Sequence, residues 1–329
     1  MALLLSKTDV AALLTVHDAI QVVEEAFRQL ALGHVTMPQR TAIRMAEHHG
    51  LHLGMPAYIG GTVNALALKV VTVYPENPAK RQLPTTIGVL MLNDPTSGAP
   101  LAVMDAGFMT AVRTGAVSGV ATRHLARRAA RTVGVFGAGV MAQWQLAAVC
   151  AVRKIEAAVV YDKDADRARS FAAEMAARLG TRVTPVTHPR EAIEGQDIVA
   201  IATSATEPVF DGGWLRPGQH VNAIGSHAPA ARELDTRAIV RSRVFPDFAE
   251  ACLAEAGDIL IPMKEGAIGR DHLRADLGEV IAGLKPGRER DDEITLFKSV
   301  GLAIQDVATA NLVYQRARAR QVGVEFAFL

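Results

Sequence analysis

The chain has 329 residues, half of them hydrophobic, with 35 lysines and arginines against 34 aspartates and glutamates. A net charge of +1 gives no electrostatic footing for nucleic acid or an anionic membrane, so the expected partner is a small molecule. Only Cys150 and Cys252 are present, which excludes a disulfide framework or a C-x-x-C metal site and fits a reducing compartment.

The length predicts about two domains. The opening MALLLSKTDVAALL lacks a basic n-region and a small-residue cleavage site, and no run reaches the roughly 18 apolar residues of a membrane span. A soluble cytoplasmic protein is expected.

Thr8 and Asp9 are candidate caps for a first helical stretch, in which Val10, Leu13, Leu14, Ala19, Val22, Val23, Ala26, Phe27 and Leu30 recur near helical spacing. A break is expected between Thr15 and Asp18. From Thr41 to Met104 the pattern shortens to strand-like runs, among them ALALKVVTVY (65–74) and IGVLMLND (87–94), punctuated by Pro75, Asn77, Pro78, Pro95 and Gly98. His48, His49 and His52 lie in this hairpin-like region, where Gly50 and Gly54 interrupt any helical metal-binding spacing, so no metal site is expected. TAVRTGAVSGVATRHLA (110–126) reads as a helix whose small residues permit close packing and which joins two domains.

Next comes VGVFGAGVMAQ (133–143), an apolar strand breaking into a G-x-G-x-x-A turn and a helix. That is a dinucleotide fingerprint: Gly137 allows the tight turn, Gly139 lets backbone approach a pyrophosphate, and Ala142 lets helix and strand pack closely. The helix N-terminus adds free N–H donors and a partial positive charge. The following strand ends in VVYDKD, with Asp162 25 positions after Gly137, near the offset at which an acid accepts from the adenosine ribose hydroxyls. Asp162 disfavours the extra phosphate of NADP, so NAD is the expected cofactor. Lys163 and Arg167 could shield a 2′-phosphate if Asp162 turned away, which leaves NADP open. The candidate cofactor contacts are Gly137, Ala138, Gly139, Val140, Met141, Asp162, Lys163, Thr203, Ser204 and Ser226.

Strand and helix patterns continue through EAAVVYD, RVTPV, PREAIEG, DIVAIAT and HVNAIG, an alternation that predicts a parallel sheet with right-handed crossovers. The fold class is therefore α/β: a Rossmann-type doubly wound parallel sheet over 120–299, plus a sheet-rich α+β domain over 1–119 and 300–329. A last helix over 302–320 returns to the first domain.

Five segments, AVMDAGFMTAVRTGAVSG, GVFGAGVMAQ, HVNAIGSHAPAARELD, LGEVIAGLKPGR and ITLFKSVGLAIQD, occur in that order along the chain. Together they resemble the ornithine cyclodeaminase and mu-crystallin family. The resemblance implies that hydride passes between a nicotinamide and the α-carbon of an amino or imino acid, that the front domain holds the substrate, and that the protein is a homodimer. It assigns substrate-carboxylate binding to Lys69 and Arg113. Arg113 can grip a carboxylate through two parallel hydrogen bonds, and a lone lysine in an apolar strand is otherwise hard to explain. A third cation is Arg40 or Arg44 of PQRTAIRM, and Asp306 matches an acidic position that orients active-site groups or is simply a helix N-terminal carboxylate.

In ornithine cyclodeaminases an aspartate stands where this chain has His227, and an imidazole is a poor partner for a side-chain ammonium. The resemblance therefore favours reduction of a cyclic ketimine, with His227 as proton donor or as a loop histidine near the cofactor. Alanine dehydrogenase, ornithine cyclodeaminase and a mu-crystallin-like binding protein are the alternatives. No G-x-S-x-G elbow surrounds Ser226, so it is read as a hydrogen-bonding group near the nicotinamide.

Overall fold

A computed structural model describes residues 1–328 of the chain. They form two compact units, Met1–Arg113 together with the segment from Leu302 onward, and Thr114–Gly301. The division falls after Arg113, inside the small-residue helix Gly107–Leu125. A methyl group on Gly115 would overlap the backbone of Trp144, which explains why this helix is built from small residues despite their weak helical propensity.

The first unit contains β1 (Ala2–Leu5), β2 (Val35–Thr36), β3 (Thr41–Met45), β4 (Gly50–Ile59), β5 (Ala65–Val73), β6 (Thr86–Asn93) and β7 (Pro100–Asp105). The sheet runs in the order β1-β7-β6-β5-β4-β2, with β3 paired to β4 and the strand Val324–Phe326 on the outer edge of β1. Two helices, Lys7–Leu13 and Val16–Ala31, begin at reciprocal capping boxes, Ser6 with Asp9 and Thr15 with Asp18. Ser6 rather than Thr8 is therefore the first cap, because only Ser6 stands three residues before the acid that returns its hydrogen bond. His48 lies in the turn between β3 and β4, His49 takes a left-handed φ of 48°, and His52 is on β4. No group able to hold a metal ion is found among the described residues.

Alternation along β5 decides what this unit buries. Ala65, Ala67, Lys69 and Val71 face inward, while Leu66, Leu68 and Val70 face the other side. The helix Ala303–Arg320 packs on β4 and β5, and the small side chains at 65 and 67 leave room for it.

The second unit is a seven-stranded parallel sheet: β8 (Thr132–Phe136), β9 (Ala157–Tyr161), β10 (Arg182–Pro185), β11 (Ile198–Ile201), β12 (His220–Ala223), β13 (Arg243–Pro246) and β14 (Thr295–Lys298). Its order, β10-β9-β8-β11-β12-β14-β13, reverses between β8 and β11. In a doubly wound sheet that reversal opens a ligand crevice at the carboxyl ends of the strands. The stretch PREAIEG forms only a short 3-10 turn, Pro189–Ala192. No helix among the described residues is long and apolar enough to cross a membrane.

Candidate active site

In the first unit, three side chains far apart in sequence share one buried spot. Lys69 Nζ lies 2.7 Å from Asp306 Oδ2 and Arg113 Nε lies 3.0 Å from Asp306 Oδ1, with all three residues at most 5% exposed. Lys69 arrives there because it occupies an inward position of β5. Thr110 and Arg113, three residues apart, share one face of their helix, and Asp306 sits in the first turn of the C-terminal helix, where the helix dipole favours an anion. Gln305 Oε1 accepts from Arg113 Nη1 at 2.6 Å and from the Leu302 amide at 2.9 Å, which fixes the amide's orientation. Its Nε2 is buried with no hydrogen-bond partner. Thr110 Oγ1 accepts from Lys69 Nζ at 3.4 Å.

The group contains one carboxylate for two cations. Burial pushes the Lys69 ammonium down to about 7; the Arg113 and Arg40 charges push the same way, and Asp306 opposes them. Arg40 is half-buried and its charge reaches Lys69, whereas Arg44 stands exposed on β3. This unbalanced, desolvated positive charge is suited to an anionic ligand small enough to enter a buried site.

In the second unit, β8 ends in the glycine turn. Gly137 adopts φ 91°, and its amide donates to the Tyr161 carbonyl. A side chain there would be strained and would press on the Ala202 carbonyl. Gly139 caps the helix Val140–Val152 without any side-chain cap, so the first amides of that helix have no intrahelical partner. Above Gly139 the space is open: the nearest neighbour of an added methyl is Arg167 Nη2 at 3.8 Å. An uncapped helix end with a clear approach fits a pyrophosphate.

Asp162 accepts from the Ala138 amide at 2.8 Å and from the Asp164 amide at 3.0 Å, which ties the end of β9 to the glycine turn. Lys163 and Val140 are exposed and Met141 is half-buried. Beyond β11, Thr203 is half-buried and Ser204 exposed. The Ser226 hydroxyl donates to the Ala231 carbonyl at 2.5 Å, and His227 is exposed with Nδ1 3.1 Å from the Gly225 carbonyl. The sequence reading overlooked Gln305 and Thr110, although both lie within segments it singled out. It also overlooked a buried trio in the second unit, Glu233, Asp258 and Lys298, because acidic residues in loop-like sequence ordinarily read as solvated.

The sequence model of the ornithine cyclodeaminase/mu-crystallin family matches residues 1–321. A Δ1-pyrroline-2-carboxylate reductase of Bacillus cereus is 38% identical over 327 residues, 99% of this chain and 100% of that protein. Among solved structures, the Thermococcus litoralis Δ1-pyrroline-2-carboxylate reductase in complex with NADH and L-proline superposes with a TM-score of 0.96 at 49% identity, covering 98% of this chain and 100% of that one. An archaeal alanine dehydrogenase dimer with bound NAD gives a TM-score of 0.94 at 38% identity, covering 100% and 99%.

Proposed function

This chain belongs to the ornithine cyclodeaminase/mu-crystallin family, and from that premise we propose that it reduces a cyclic ketimine acid with NADH. Δ1-Pyrroline-2-carboxylate is the preferred substrate and its six-membered homologue Δ1-piperideine-2-carboxylate the second. Hydride adds to the imine carbon and a proton to the imine nitrogen; the C=N π bond is lost and the cyclic amino acid forms with NAD+. The observation that carries this reading is the buried Lys69–Asp306–Arg113 group, whose excess positive charge answers the substrate carboxylate.

When bound, the nicotinamide supplies the hydride. Gly137, Gly139, Val140 and Met141 hold the pyrophosphate through backbone and helix dipole, and Asp162 takes the adenosine ribose. Arg113 and Lys69 grip the carboxylate with Arg40 as the third cation, while Asp306 fixes the direction in which both buried cations point. The carboxylate holds Lys69 in its charged form, and an ammonium whose pKa is near 7 is matched to proton delivery at neutral pH. His227 is assigned a proton-relay role on the cofactor side.

The homodimer belongs to the same reading. On the face of the first unit's sheet away from the C-terminal helix, Ile87, Val89 and Met91 are 41%, 49% and 38% exposed, beside half-buried Leu66, Leu68 and Val70. A contiguous apolar face of this kind supports association with a second copy. Two free cysteines fit a reducing cytoplasm.

The test is oxidation of NADH and NADPH by the purified protein, with Δ1-pyrroline-2-carboxylate in one set and pyruvate plus ammonium in the other. Turnover of NADH with the cyclic imine is the expected result. Activity confined to pyruvate and ammonium would move the assignment to alanine dehydrogenase, and no turnover in either set would leave ornithine cyclisation or the binding-protein role.

A further inference from the structure

Glu233 is fully buried in the second unit, yet the chemistry above makes no use of it. Its Oε1 accepts from the Thr203 amide at 2.7 Å and the Thr203 hydroxyl at 2.6 Å; its Oε2 accepts from the amides of Gly225 at 2.7 Å and Ser226 at 3.2 Å. Three of these donors are backbone N–H groups. The fourth also donates, because Thr203 Oγ1 already accepts from the Ala205 amide at 3.1 Å. A carboxylate with four donors around it is acceptor-only, which is the ionised form.

The two pairs of donors belong to different loops. Thr203 follows β11 and Gly225–Ser226 follow β12, neighbouring parallel strands, so one side chain straps together the loops at their carboxyl ends. The strap is itself anchored. Asp258 Oδ1 accepts from the amides of Glu233 and Leu234 at 2.7 and 2.9 Å, and Asp258 Oδ2 is 2.6 Å from Lys298 Nζ at the end of β14, a pair with no exposure at all. Burying three ionisable groups is expensive. Here they fix the conformation of two short loops on the β11–β12 side of the crevice where the strand order reverses.

A dinucleotide spanning such a crevice has its adenosine on the β9 side, marked by Asp162, its pyrophosphate at the glycine turn, and its nicotinamide half on the β11–β12 side. We infer that Glu233 is a positioning residue for the nicotinamide half of the cofactor: it sets the Thr203 and Gly225–Ser226 loops against which that half rests, and Asp258 with Lys298 holds Glu233 in place. The inference rests on the dinucleotide reading of the second unit.

The experiment compares two ligands, NADH and ADP-ribose, which shares the adenosine and pyrophosphate but lacks the nicotinamide. Their Kd values are measured by calorimetry on the full-length wild type and on Glu233→Gln. Glutamine presents an NH2 group to one pair of donors, so that loop loses its acceptor. NADH should bind on the order of 10-fold more weakly or worse, the loss of one charge-assisted hydrogen bond, while ADP-ribose stays within about 2-fold. Glu233→Asp, which keeps the charge opposite Lys298 but is too short to reach both loops, should show the same selectivity. Equal losses for both ligands, no loss for either, or failure of both variants to fold would make Glu233 a general structural residue and overturn the inference. A wild type that binds neither ligand would instead refute the cofactor reading beneath it.

Discussion

Asp306→Asn isolates the electrostatics of the buried group. The substitution keeps the shape of the side chain and removes the charge 2.7 Å from Lys69 Nζ and 3.0 Å from Arg113 Nε. Even in water's dielectric, one unit charge at 2.7 Å is worth about 1.5 kcal/mol, or roughly one pKa unit; at an effective dielectric of about 20 it is several-fold more. The ammonium of Lys69 already sits near 7 because of burial and the Arg113 charge, so losing Asp306 pushes it lower still. The sign follows directly: the charged ammonium is the active form, and kcat/KM falls as pH rises through its pKa. In the wild type the basic limb of kcat/KM for the cyclic imine should lie near pH 7. In Asp306→Asn it should move down by at least about one unit, with a loss of about 10-fold or more at pH 7.5. Both limbs are read from initial rates of NADH oxidation, and the substrate's own ionisation is common to the two enzymes. Lys69→Arg, which stays charged throughout, should lose the limb. If Asp306→Asn keeps the limb where the wild type has it, Lys69 is not the group whose charge the substrate reads.

Arg113→Lys keeps a positive charge beside Asp306 but removes the planar fork, and should lower kcat/KM by about 10- to 150-fold, the equivalent of one charged hydrogen bond of about 1.5–3 kcal/mol; unchanged kinetics would remove Arg113 from the carboxylate site. Asp162→Asn preserves an acceptor for the Ala138 amide while deleting the charge that repels a 2′-phosphate, so the NADPH to NADH ratio of kcat/KM should rise by about 10-fold. His220 is fully buried against Thr295 and Asn222, and burial holds its pKa down to about 3. The fold keeps it neutral and the unfolded chain protonates it below about 6.5, so stability is lost as pH falls from about 6.5 toward 3. Between pH 7.5 and 5 the wild type should lose about 2 kcal/mol more than His220→Asn in urea titrations, and parallel losses would contradict that account. Val89→Glu with Met91→Glu, on the exposed apolar sheet face, should convert the proposed dimer to monomers in light scattering; a variant that keeps a dimeric wild-type mass would place the interface elsewhere, and a monomeric wild type would refute the proposed dimer.

The two candidate sites, one in each unit, differ in how far the sequence alone reveals them, and the difference is geometric. The glycine turn is local: strand, turn and helix are consecutive in sequence, and Asp162 follows at the end of the next strand, so spacing carries nearly all the information. Lys69 was also legible, since ALALKVVTV places it on the same face as Ala65, Ala67 and Val71, where an unexplained charge stands out. What spacing could not supply was its counter-ion. Asp306 is 193 residues beyond Arg113 and reaches Lys69 only because the C-terminal helix returns to pack on β4 and β5, and no periodicity encodes that return. That Arg40 is half-buried while Arg44 stands exposed on β3 is a matter of how β3 pairs with β4, which spacing does not show. Glu233 was illegible for a deeper reason. Its four donors are mostly backbone amides, which every residue has, so no residue type in the sequence marks the place where a carboxylate is needed. A backbone site made by one consecutive turn leaves a trace in spacing, whereas a carboxylate held by backbone amides of two separate loops is found only once those loops are in place.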